Sequence, residues 1–187
     1  MRERRWRIGQ GIGLGIGALA LVGGAATMVA PDGPSKAQTS ALQALVGDWN
    51  GSAHAYLAPG MPPESSGAKQ QTKRIGDYWL VEHASAEVFG ETLEHLYLIG
   101  FDDAGGLTGT LVTGGDRESW SLVGSYDTRT GTFEFQHQLR TAADVVVDAR
   151  TTIRVDPRKG KKTTQVFQTI GEGFEALYVE LTTTKRR

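Results

Sequence analysis

The side chains able to do chemistry in this chain are four histidines, one group of glutamates and several Asp-rich turns. His83 and His95 flank the segment Val88-Phe89-Gly90. With Gly90 in the left-handed position of a three-residue loop, His83 would oppose His95 across a hairpin, and Glu87 would oppose Glu91. Two neighbouring imidazoles can hold a metal ion if a third ligand joins them. Two carboxylates facing one another across the same hairpin disfavour that register. The other reading is separate histidines, each hydrogen-bonded to its strand neighbours. His137 is a third inward candidate, and His54 belongs to an outward face. Glu87, Glu91 and Glu94 read as a solvated rim rather than the paired carboxylates of a hydrolase. Asp102-Asp103 before Gly105-Gly106 lacks the spaced carboxylates of a calcium loop and reads as turn chemistry. The chain has no cysteine, which removes thiol nucleophiles, thiolate metal sites and disulfides. It has no Gly-x-Ser-x-Gly elbow. No catalytic signature emerges, and no cofactor is expected.

The elements that would position these residues are strands. After Pro31-Asp32-Gly33-Pro34-Ser35, a linker, Thr39–Val46 carries Leu42, Leu45 and Val46 at helical spacing. Ten alternating segments follow: 48–57, 66–75, 78–88, 92–101, 107–113, 119–126, 132–139, 145–155, 162–170 and 174–183. Short turns separate them, apart from the Pro-rich loop Ala58-Pro59-Gly60-Met61-Pro62-Pro63. Many strands at even spacing with hairpin-like junctions predict an all-β, up-and-down antiparallel barrel of about ten strands, with a short N-terminal helix. The cleanest alternation is Phe133, Phe135, His137 and Leu139 on one face, against Thr132, Glu134, Gln136 and Gln138. In the last segment Leu177, Val179 and Leu181 are expected inside, with Tyr178 and Glu180 outside. The third and fourth segments are apolar on both sides, as if a helix or the leader covered them. Arg158-Lys159-Gly160-Lys161-Lys162 reads as a charged hairpin tip, either merely solvated or touching anionic headgroups.

Ahead of the barrel lies a leader. Met1–Arg7 is basic, and residues 8–30 carry no charge. This is the pattern of an export signal, and its length also suffices to cross a bilayer. Gly24-Ala25-Ala26 and Ser35-Lys36-Ala37 are candidate cleavage sites. Residues 1–37 are therefore assigned to a signal peptide or membrane anchor plus linker, and 38–187 to the barrel. Either way the barrel is exported to the periplasm or another extracytoplasmic space, or tethered there to the inner membrane. The whole chain has a formal net charge of −1, a sequence pI near 6.4 and five Lys/Arg against two Asp/Glu in residues 1–37. The body is thus mildly acidic, which excludes nucleic acid as a main partner.

Several motifs resemble one family. Leu45-Val46-Gly47-x-Trp49-x-Gly51 precedes Tyr56-Leu57-Ala58-Pro59-Gly60. Arg74-Ile75-Gly76-x-x-Trp79-Leu80-Val81 and Ile99-Gly100-Phe101-Asp102 follow. Over residues 41–183 the chain resembles the bacterial domain-of-unknown-function family 1579, a lipocalin-like group. His95, Tyr97 and Leu111 depart from the expected pattern and bear on cavity shape. The resemblance implies a calycin-type barrel, and no activity or site residue.

A ten-stranded barrel is wide enough to enclose a cavity. Trp79, His83, His95, Tyr97, Phe133, Phe135 and His137 are the candidate lining, suited to a small apolar or amphipathic ligand with one polar end. The rival readings are a filled-core structural or interaction module of the envelope and an enzyme using a cavity histidine as acid or base.

Overall fold

The computed structural model describes residues 33–88, 90–115, 118–141 and 144–186. The leader, with its basic segment, apolar run and first cleavage site, lies outside the described residues. One helix, α1 (Lys36–Leu45), precedes ten strands: β1 (Gly47–Ala55), β2 (Glu64–Ile75), β3 (Trp79–Val88), β4 (Glu91–Phe101), β5 (Leu107–Thr113), β6 (Ser119–Asp127), β7 (Thr132–Arg140), β8 (Val146–Asp156), β9 (Lys161–Ile170) and β10 (Phe174–Lys185). Each strand pairs antiparallel with the next, and β1 pairs with β10, so the barrel is closed and up-and-down. Closure leaves no unpaired sheet edge.

Local chemistry explains the turns at one end. Asp102, Asp127 and Asp156 each close a strand, and their carboxylates accept backbone N–H groups two to four residues ahead. A glycine with positive φ follows in each turn, at Gly105, Gly131 and Gly160. This is turn chemistry, as the sequence suggests, and not a calcium loop.

Helix α1 closes that same end. Ser35 caps it by accepting from the Gln38 N–H, while the Gln38 side chain accepts from the Ser35 N–H, a reciprocal capping box. The Gln38 amide also donates to the Gly105 carbonyl at 2.8 Å, which pins the helix to the β4–β5 turn. Leu42 and Leu45 enter a core with Leu80, Ile99, Leu107 and Phe133. The Trp49 indole N–H donates to the Leu45 carbonyl at 2.9 Å, so this ring plugs the end where the helix meets β1. The complete strand ladder, the helix cap and the core all lie within residues 33–186.

Gly51 has a physical reason to be glycine that the sequence does not reveal. A Cβ there would sit 1.9 Å from the Thr182 carbonyl oxygen on β10. The seam that closes the barrel therefore depends on a bare backbone at that point.

The structure corrects four expectations. Lys162 is not part of a solvated tip: it points inward from β9 and is fully buried. In β10 the register shifts between Leu177 and Val179. This bulge turns Tyr178 inward beside Val179, so Tyr178 lines the interior instead of facing out. On the outer face of β4, Leu96 and Leu98 are exposed, so α1 does not cover it; cover by the leader lies outside the described residues. Finally, the β3–β4 hairpin pairs Val88 with Glu91, Ala84 with His95 and His83 with Leu96. His83 and His95 are therefore not cross-strand partners, nor are Glu87 and Glu91.

Candidate functional site

Reading β7 from the helix-capped end, the inward residues are Phe133, Phe135, His137 and Leu139. Phe133 and Phe135 belong to the packed core. His137 and Leu139 line a cavity of about 450 Å³ at the opposite end. The barrel is thus filled over one half and hollow over the other. Among the described residues, Glu91, Gly115, Arg140, Thr141 and Asp144 border the mouth.

The cavity has two kinds of wall. Val166 on β9, Val179 and Leu181 on β10, and Ala84 and Val88 on β3 make an aliphatic side. His95 and Tyr97 on β4, Thr113 on β5 and His137 on β7 make a polar side. The rings of His95 and Tyr97 lie 6.3 Å apart, and the Thr113 hydroxyl is 3.5 Å from His95 Nδ1.

At the cavity floor the polar groups form an ordered chain. His137 Nδ1 faces the Gln138 carbonyl at 2.9 Å. A carbonyl only accepts, so Nδ1 carries the proton. Nε2 then accepts from the Thr151 hydroxyl at 2.8 Å. Burial pushes the His137 pKa below its usual value, partly opposed by the Gln138 hydrogen bond, so the ring is neutral at pH 7. Burial, seconded by the charge of Glu82, raises the Tyr97 hydroxyl well above the usual tyrosine range, with Thr151 opposing. Burial likewise raises Tyr178. Every phenol and imidazole so described is uncharged near neutrality.

Below the aliphatic wall, further along β3, β9 and β10, runs a buried ionic network that sequence reading missed. Lys162 Nζ donates to Glu82 Oε2 at 2.7 Å, with the two side chains 0% and 3% exposed. Thr72 donates to the same oxygen and Gln70 to Oε1. Thr183 in turn donates to the Gln70 amide oxygen at 3.0 Å. The Lys162 ammonium also lies 5.1 Å from the Trp49 ring centroid. Desolvation lowers the Lys162 pKa, and Glu82 partly restores it. The network joins β2, β3, β9 and β10 through the interior. Its only local signal is strand phase: Glu82 alternates with Leu80 and Ala84, and Lys162 with Thr164 and Val166.

Of the residues singled out in the sequence, His95, Tyr97 and His137 meet at the cavity. Phe133 and Phe135 point inward but lie in the filled half. Trp79 and His83 do not line it: both belong to the outward phase of β3, where Trp79 is half-buried and His83 exposed. The one-residue difference in hairpin register is the cause, since it exchanges the faces of a strand. Among the described residues, no three of His, Asp and Glu are grouped to hold a metal ion.

Comparison with known proteins places this barrel. A family model described as "Protein of unknown function (DUF1579)" matches residues 34–184. The chain belongs to that family. The match spans α1 and all ten strands, so the cavity and the buried network both lie within the family domain. The crystal structure of Rv2717c from M. tuberculosis is similar in fold, with a TM-score of 0.61 and 13% identity, covering 82% of this chain and 99% of that one. No curated protein matches the chain.

Proposed function

We propose that this protein is a carrier or sensor that holds a small apolar or amphipathic molecule in the hollow half of its barrel, outside the cytoplasm. The supporting observation is the 450 Å³ cavity with one aliphatic and one hydrogen-bonding wall. Its size falls within the range of about 300–1,000 Å³ found for small-molecule sites. Export, or tethering to the inner membrane, is supported by the basic and then uncharged run of residues 1–30.

The test is native mass spectrometry of residues 33–187 before and after delipidation. A co-purifying small molecule lost on delipidation, and regained on adding back the extract, is the expected result. An empty protein whose tryptophan fluorescence ignores fatty alcohols, isoprenoids and fatty acids would end the carrier reading. Fractionation of cells expressing the full chain tests export: recovery in the cytosol refutes it.

The interaction-module reading has one observation in its favour. Leu96, Leu98, Val112 and Val123 are exposed on the outer face of β4–β6. The acid–base reading is weakened at His137, because both of its nitrogens are already engaged.

A further inference from the structure

We propose that the cavity selects an amphiphile with an uncharged polar end, and discriminates against the carboxylate of equal chain length. The inference rests on the carrier reading and adds the chemistry of the head group.

An ionised carboxylate is costly to remove from water unless a cation or several N–H donors receive it. Among the described residues, the cations beside the cavity are Lys162 below it and Arg140 at its mouth, and both are matched by carboxylates. Lys162 is wholly buried, and its ammonium is held by Glu82 at 2.7 Å. It is also not among the groups lining the cavity. Arg140 stands at the mouth, 3.0 Å from Asp144 and 3.3 Å from Glu118. Among the described residues, one guanidinium stands there against two carboxylates, and Glu91 adds another carboxylate to the rim. Among the described lining residues, Arg140 is the one lysine or arginine. Among the described residues, an incoming anion therefore meets an excess of carboxylates at the mouth and no unmatched lysine or arginine inside.

An uncharged head group meets the opposite situation. Tyr97, His95 and Thr113 supply hydroxyl and imidazole groups on one wall, able to exchange hydrogen bonds with an alcohol, ester or amide. Val166, Val179 and Leu181 face the chain. The Tyr97 hydroxyl needs no counter-charge, because it keeps its proton.

The experiment is isothermal titration of delipidated residues 33–187 with decanol and with decanoate at pH 7.5, below the aggregation limit of each. Decanol is expected to bind, with decanoate weaker by about tenfold or more, as for a carboxylate entering an apolar site without a partner. Glu91→Gln and Asp144→Asn each remove rim charge. Asp144 has φ 61°, a conformation that asparagine also tolerates. Each variant is expected to shift the decanoate-to-decanol affinity ratio toward decanoate by about two- to fivefold. A structural defect would weaken both ligands together. Decanoate binding as tightly as decanol overturns the selectivity while leaving the carrier reading intact. Failure of both ligands, and of decylamine, overturns the carrier reading as well.

Discussion

Replacing Lys162 by methionine keeps an unbranched side chain one atom shorter and removes its charge. In the native barrel the ammonium is shielded from water on every side and sits 2.7 Å from Glu82 Oε2. Removing it leaves a buried carboxylate with only the Thr72 hydroxyl and the Gln70 amide as partners. Breaking a buried ion pair from one side costs about 3–5 kcal/mol. The two surviving hydrogen bonds place this case toward the lower end, about 3 kcal/mol. That is a large share of a domain stability of about 5–15 kcal/mol. The paired change Glu82→Gln with Lys162→Met removes both charges and leaves an amide that still accepts from Thr72 or Gln70. It should recover more than half of the loss, so the two substitutions are strongly non-additive. Urea unfolding at pH 7.5, followed by circular dichroism and by the fluorescence of Trp49 beside the pair, reads both quantities. If Lys162→Met does not fold, recovery of a cooperative transition in the double variant carries the test. A Lys162→Met protein within about 0.5 kcal/mol of the parent would refute the burial of an energetically coupled pair, as would a double variant no better than the sum of the singles.

Gly51→Ala should destabilise by about 1–3 kcal/mol, since its Cβ would meet the Thr182 carbonyl at 1.9 Å; the thermal midpoint reads this, and an unchanged midpoint contradicts the close approach at the β1–β10 seam. His137 has its folded pKa pushed below the usual 6.5 by burial. The unfolded chain therefore takes up a proton first as pH falls, so stability present above pH 6.5 declines below it. Thermal melts from pH 7.5 to 5.0 should show a smaller drop in His137→Gln than in the parent; an equal drop refutes the assignment. Arg150 binds Glu175 at 2.6 Å and stacks 4.4 Å above the Phe167 ring on the outer surface. Arg150→Ala should cost only about 1 kcal/mol, measured by urea unfolding. Arg150 also lowers the Glu175 pKa. Its contribution should be present above pH 4.5, the usual glutamate value, and fade as pH falls further.

Period-two alternation, Asp-to-Gly turns and a capping serine are local features, each decided within a few residues. They sufficed for ten strands, hairpin order, the closing helix and the inward phase of Phe133, Phe135 and His137. The Gly47-x-Trp49-x-Gly51 pattern marked the first strand and its ring plug for the same reason. Hairpin register is less local: a two-residue rather than three-residue turn after Val88 separated His83 from His95 and sent them to opposite faces. The bulge at Tyr178 turned that side chain inward in a similar way. Closure decided the rest. Glu82 and Lys162 are 80 residues apart in the chain, and they meet only because β9, β10, β1, β2 and β3 curve round a common interior. Which half of that interior is filled also depends on side chains from every strand at once, and no short stretch of sequence carries that sum.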